Sequence, residues 1–260
     1  MSKPKLAHKT VYVFGTCLID LFDPQAGMSA IKLLEREGLR VVFPDDQSCC
    51  GQPAYTSGFP ADALAVAERQ VRLFTEDWPI VVPSGSCAGM MKHHWPRLFG
   101  KDHPLASQVK TIADRVYEFT DFLVNVLAVK LEDQGQPCKV VLHTSCSARR
   151  EMNAHLSSRS LLDQLSGVEV VQQAREAECC GFGGTFSIRQ PGLSAAMAGD
   201  KAEALVASGA DKLVSADCGC LSNINGTLSK KSKTNKDITL QGQHIATFLV
   251  ERLAIDGSNA

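Results

Sequence analysis

The chain has no long run of either charge: 27 lysines and arginines stand against 28 aspartates and glutamates, for a formal net charge of −1. A nucleic-acid partner requires a basic footprint that this balance lacks, so small molecules or proteins are the expected partners. Residues 1–10 carry charge but no apolar segment of the kind a signal peptide needs, and no later run approaches membrane-spanning length. A cytoplasmic protein without a membrane partner is expected. Neither a Gly-x-Gly-x-x-Gly run after a strand nor a P-loop occurs, which leaves a flavin or nicotinamide site unsupported. No two cysteines have the Cys-x-x-Cys spacing of thioredoxin-type sites and zinc ribbons.

Cysteine itself is abundant, and eight of the ten fall into two matching sets. Cys17 precedes Cys49-Cys50-Gly51 by 32 residues, Cys146 precedes Cys179-Cys180-Gly181 by 33, and each triplet is followed by one more cysteine, Cys87 or Cys220. In a reducing compartment such residues read as ligands or redox thiols, since structural disulfides are rare there. Thiolates are soft donors for iron-sulfur clusters and zinc, and four is the number such a centre needs. Metal, with iron favoured, is the chemistry this pattern points to.

A length of 260 residues allows one large domain or two smaller ones, and the repeated cassette favours two. Each half alternates short β-branched runs with amphipathic stretches, the pattern of a parallel α/β sheet. In the first half, strands are predicted over 10–14, 39–43 and 80–82, with helices over 24–37 and 61–75. The second half repeats the order, with strands over 139–143, 168–171 and 212–214 and helices over 158–165 and 195–207. The tails agree as well, since Thr120-Asp121-Phe122-Leu123-Val124 matches Ala246-Thr247-Phe248-Leu249-Val250. A polar, turn-rich join at 132–137 divides the chain into expected modules at 1–132 and 137–260.

Parallel strands all point one way, so residues just beyond their carboxyl ends gather on one edge, where α/β proteins place ligands. Every cysteine of both sets follows a predicted strand, which lets distant thiols of one module face one crevice. Gly51, Gly85, Gly181, Gly183, Gly184 and Gly219 lie in these loops, where positive φ, close approach and N–H donation to sulfur are useful and where ordinary turns also occur. Cys138 and Cys218 lack counterparts. Cys138 reads as filler, while Cys218 reads as a spare ligand or a resolving thiol. His143, three residues before Cys146, could be a packed strand residue, a hydrogen-bond donor or a substitute ligand. Arg149-Arg150 suits a carboxylate, a cluster's charge or a solvated helix start. His93-His94-Trp95 reads equally as site or solvated turn, and Lys230-Lys231-Ser232-Lys233 as a polar loop.

At the cassettes the sequence resembles the cysteine-rich "CCG" domain family, whose duplicated members include subunits of heterodisulfide reductase, of glycolate oxidase and of lactate-oxidising systems. Cys49-Cys50-Gly51-Gln52-Pro53-Ala54, Ser84-Gly85-Ser86-Cys87 and Cys179-Cys180-Gly181-Phe182-Gly183-Gly184-Thr185-Phe186-Ser187 carry the resemblance, closest to the lactate branch. It implies an iron-sulfur electron-transfer subunit that works with other subunits of a complex oxidising L-lactate, a 2-hydroxy acid, to pyruvate. Where the wider motif closes with Cys-x-x-Cys, this chain has Ser84 and Asp217 at the first position. That leaves four thiols per module, enough for one [4Fe-4S] cluster each, with Ser84 and Asp217 as possible oxygen donors. A thiol-disulfide reductase and a non-redox scaffold with zinc in one or both modules are the alternatives.

Overall fold

A computed structural model describes residues 8–255; the opening stretch 1–7, read above for its lack of a leader, and residues 256–260 lie outside the described residues. The first module runs β1 (Thr10–Val13), α1 (Cys17–Phe22), α2 (Pro24–Arg36), β2 (Arg40–Val42), α3 (Gln52–Thr56), α4 (Pro60–Val71), β3 (Ile80–Val82) and α5 (Gly85–Gly89). A π-helical turn (Met90–His94) leads into α6 (Trp95–Phe99), α7 (Ala106–Asp114), β4 (Val116–Glu118) and α8 (Phe119–Asp121), which ends in a second π turn, Phe122–Val126. The second module runs β5 (Cys138–His143), a π turn (Ala148–Met152), α9 (Ala154–Leu162), β6 (Val168–Val171), α10 (Phe186–Arg189), α11 (Pro191–Ala207), β7 (Lys212–Ser215), α12 (Cys218–Thr234), β8 (Gly242–His244) and α13 (Ile245–Arg252).

Two four-stranded sheets result, ordered β2-β1-β3-β4 and β6-β5-β7-β8. Every pairing is parallel, with Val11 opposite Val41 in one sheet and Val140 opposite Val170 in the other. The α/β class and the internal duplication therefore hold. β3 is buried along its whole length, as a central strand covered on both faces must be, and it is accordingly all β-branched. Local signals explain the long helices: Asp23 accepts from Ala26 N at 3.2 Å ahead of Pro24, and Gly38 at φ 82° stops α2. The helix expected at 158–165 lies earlier, at α9, because Asn153 in the left-handed region starts a turn there. Lys230–Lys233 form the last turns of α12, not a loop, and Lys231 pairs with Glu203 at 2.7 Å.

The two sheets are joined by a core that crosses the join. Ala30 and Leu33 of α2, Phe119 and Phe122, Leu161 of α9, and Ile245 and Phe248 of α13 belong to one buried apolar cluster. α13 packs on α2 while α8 packs on α9, so each tail helix covers the other module with approximate two-fold symmetry. Both tail helices are capped by a buried polar residue. Glu118 Oε2 accepts from Asp121 N at 2.9 Å and Thr120 Oγ1 at 2.6 Å, and burial pushes its carboxyl up to about 8. His244 Nδ1 accepts from Ala246 N at 3.1 Å, and its Nε2 donates across the interface to Pro83 O at 2.9 Å.

Candidate metal centre

Each cysteine set is assembled by three strand ends. β1 delivers Cys17 to the start of α1, the loop after β2 delivers Cys49 and Cys50, and β3 delivers Cys87 into α5; β5, β6 and β7 do the same for Cys146, Cys179-Cys180 and Cys220. The Cys-Cys-Gly triplets share a backbone geometry set by their glycines. Gly51 at φ 86° and Gly181 at φ 82° both donate N–H to the preceding cysteine sulfur, Cys49 and Cys179, at 3.4 Å. A Cβ on Gly181 would lie 2.6 Å from Ser194 O, so both conformation and space require glycine there.

Within the first set, hydrogen bonds link Cys17 with Cys49, Cys49 with Cys50, and Cys50 with Cys87, whose sulfurs are 3.4 Å apart. The second set repeats the chain through Cys146, Cys179, Cys180 and Cys220. Hydrogen bonds from Cys17 and Cys50 pull Cys49 down to about 3, and those from Cys146 and Cys180 pull Cys179 down to about 2. The donors Cys17, Cys50, Cys146 and Cys180 are pushed up by the same bonds and by burial. In each set the first cysteine of the pair is therefore the sulfur on which its neighbours' hydrogen bonds converge.

The sets do not open into separate crevices. All eight cysteines line one cavity of about 360 Å³, together with Ser84, Ser86, Phe182, Asp217 and Cys218. Packing of α5 on the π turn at Ala148–Met152, and of α1 on α12, closes the two modules around it. Small residues make this approach possible, since a Cβ on Gly85 would lie 2.4 Å from Ala148 Cβ and one on Gly89 3.2 Å from Glu151 Cβ; within the second module, Gly219 leaves room for the Phe182 ring. Ser84 and Asp217, the two departures from the wider motif, meet each other. Asp217 Oδ1 accepts from Ser84 Oγ at 3.2 Å and Ser86 N at 3.0 Å, while its buried Oδ2 has no partner.

Other candidates separate from the cavity. Cys138 sits at the opposite end of β5, 3.7 Å from Arg252 Nη1. Cys218 lines the cavity but turns its sulfur to Asp23 Oδ2, at 3.8 Å, and burial pushes its thiol up. Arg149 is occupied by Glu176 at 2.5 Å, and Arg150 is exposed. The His93-His94-Trp95 segment is no solvated turn: Trp95 is fully buried and donates to Cys50 O at 2.9 Å, and His94 meets Glu151 of the other module at 3.0 Å. His143 is fully buried beside Cys180 and Cys220, its nearest ring nitrogen and their sulfurs lying within 4.8 Å of one another. Desolvation, and then the nearby Lys201 charge, push its imidazole down to about 3, which keeps it neutral. Sequence reasoning did not single out Phe182, Thr185 or Gln52 as cavity residues, although Gly-Phe-Gly-Gly-Thr was conspicuous. Thr185 reaches Ser57 of the first module through a short hydroxyl pair.

The donors suit a metal ion or cluster. Eight soft sulfurs converge, backbone N–H groups already point at two of them, and buried polar atoms of Asp217 and His143 face the region without protein partners. A model of the cysteine-rich domain family, CCG, matches residues 11–92 and 140–225. The chain is 42% identical over 244 residues to "Lactate utilization protein A" of Bacillus subtilis (strain 168), spanning 93% of this chain and 99% of that one. The protein of the same name from Shouchella clausii (strain KSM-K16) is 41% identical over 241 residues, spanning 92% and 98%. A crystal structure of a hypothetical protein from Helicobacter pylori shares the fold, with a TM-score of 0.60 at 15% identity over all of this chain and 51% of that one.

Proposed function

The chain belongs to the cysteine-rich CCG domain family, and from that membership we propose that it is an iron-sulfur electron-transfer subunit of an assembly that oxidises L-lactate to pyruvate. The convergence of both four-cysteine sets on one cavity carries the proposal. Lactate utilisation is supported by relatives of that name at about 40% identity over nearly their full length. Cys17, Cys49, Cys50 and Cys87 would hold one [4Fe-4S] cluster and Cys146, Cys179, Cys180 and Cys220 a second. Such clusters exchange electrons singly, so a pair suits the two electrons released when a 2-hydroxy acid becomes a 2-oxo acid.

The chain's own residues would serve that role in distinct ways. Cys49 and Cys179 each receive a backbone N–H, from Gly51 and Gly181, which would stabilise negative charge on a ligating sulfur. Asp217, bonded to Ser84 and Ser86, fixes the second module's closing loop against the first, so the two sets keep one mutual geometry. Among the described residues no helix is long and apolar enough to cross a membrane.

Substrate dehydrogenation belongs, in this proposal, to partner subunits, because the sequence carries no flavin or nicotinamide fingerprint beside its cysteines. The isolated, reconstituted chain is therefore expected to show no L-lactate-dependent reduction of an artificial acceptor, and activity is expected once the partners are added. Robust turnover by the chain alone would contradict the relay assignment.

A further inference from the structure

The two cysteine sets are matched in sulfur but not in nitrogen. Three residues before Cys17 stands Phe14, fully buried and packed in one apolar cluster with Cys50 and Phe74. Three residues before Cys146, at the equivalent place on β5, stands His143, equally buried. An aromatic hydrocarbon thus satisfies the packing at this position, and a polar ring there calls for partners. His143 has none: neither Nδ1 nor Nε2 makes a hydrogen bond. The contrast with His244 is informative, since that ring is as deeply buried yet bonds through both nitrogens to Ala246 N, Pro83 O and Ala216 O. What does lie near His143 is sulfur, with one ring nitrogen and the sulfurs of Cys180 and Cys220 all within 4.8 Å of one another. A buried neutral imidazole offering a free lone pair beside two thiols has the chemistry of a metal ligand.

We propose that His143 is a nitrogen ligand of the second set's metal centre, alongside Cys180 and Cys220, so that the two centres of this chain differ in donor type. The inference rests on the reading that the second set binds metal, and it puts imidazole in the place of one thiolate of that set, an exchange for which the first set, with Phe14 at this position, has no residue. Imidazole in place of thiolate removes negative charge from a cluster and raises its potential. The second centre is then the better electron acceptor of the pair.

The test uses full-length chain labelled with 15N-histidine and reconstituted anaerobically with iron and sulfide. Pulsed EPR of the reduced wild type is expected to show a strongly coupled histidine nitrogen. That coupling should vanish in His143→Phe, which copies the first module, and in His143→Cys, which keeps a ligand at the position and should lower the second centre's potential. A wild type with both centres assembled and no such coupling, or a coupling that survives in His143→Phe, overturns the inference. Should no cluster assemble at the second set, the electron-relay reading fails separately, and cobalt(II) titrated into the apoprotein reads the same site. Paramagnetically shifted imidazole protons in the wild type, absent from His143→Phe, support the ligand, and bound cobalt without them overturns it.

Discussion

Replacing Cys180 by serine is expected to abolish the spectroscopic signal of the second centre, with a loss of roughly half the bound iron, while the first centre persists. Cys180 is almost fully buried and central in its set, hydrogen-bonded to both Cys179 and Cys220, so its loss removes a sulfur from the middle of the site. A serine hydroxyl is a harder and far less acidic donor than a thiol. Cys50→Ser should do the same to the first centre, because Cys50 occupies the matching position between Cys49 and Cys87. The sulfur hydrogen bonds run within each set, which is why one substitution should spare the other centre even though both share a cavity. Iron content and EPR of each anaerobically reconstituted variant measure this. Loss of both signals from a folded variant would mean that one centre bridges the two sets.

Arg252→Ala is expected to be the most destabilising change remote from the cavity. Arg252 Nε and Nη2 bind Asp133 Oδ1 and Oδ2 at 2.7 and 2.5 Å, and Asp133 also accepts from Gly135 N at 3.1 Å and Gly167 N at 2.7 Å. The pair joins the 132–137 connection to the last turn of α13, and both side chains are almost completely buried, at 7% and 1% exposure. Removing one partner strands a buried charge, which costs about 3–5 kcal/mol. The melting temperature should fall by on the order of 10 °C, with Arg252→Lys intermediate because it keeps charge but not the paired geometry. Acid should reveal the same interaction. Burial works to raise the Asp133 carboxyl, but the Arg252 and backbone donors outweigh it and hold it below the ordinary range. Its stabilisation is thus complete above the unfolded carboxylate pKa of about 4 and lost as pH falls through the lower folded value. An unchanged melting temperature in Arg252→Ala would show that the join does not depend on this pair.

The central strands and both cysteine sets were legible because they obey local rules: β-branched triplets, glycine stops and repeated spacing. β4 and β8 were not, since Val-Tyr-Glu and Gly-Gln-His are too short and too polar to announce a strand without the neighbour they pair with. The tails at 120–124 and 246–250 were seen to match, but their crossing to the opposite module depends on a core shared by Phe119, Leu161 and Phe248, which no local pattern encodes. The same crossing explains why separate crevices were expected and one cavity is found. Asp217 and Ser84 were noted only as departures from a motif, and their contact becomes visible only when the modules are packed face to face. His143 was ambiguous for a related reason, because whether a buried histidine has partners is a property of its surroundings and not of its place in a strand.

The most direct test of the account is the iron and acid-labile sulfide content of the full chain after anaerobic purification from iron-replete cells. Iron and sulfide are expected in equal amounts, sufficient for a cluster at each set, with EPR signals on reduction. Stoichiometric zinc with no sulfide would contradict the account.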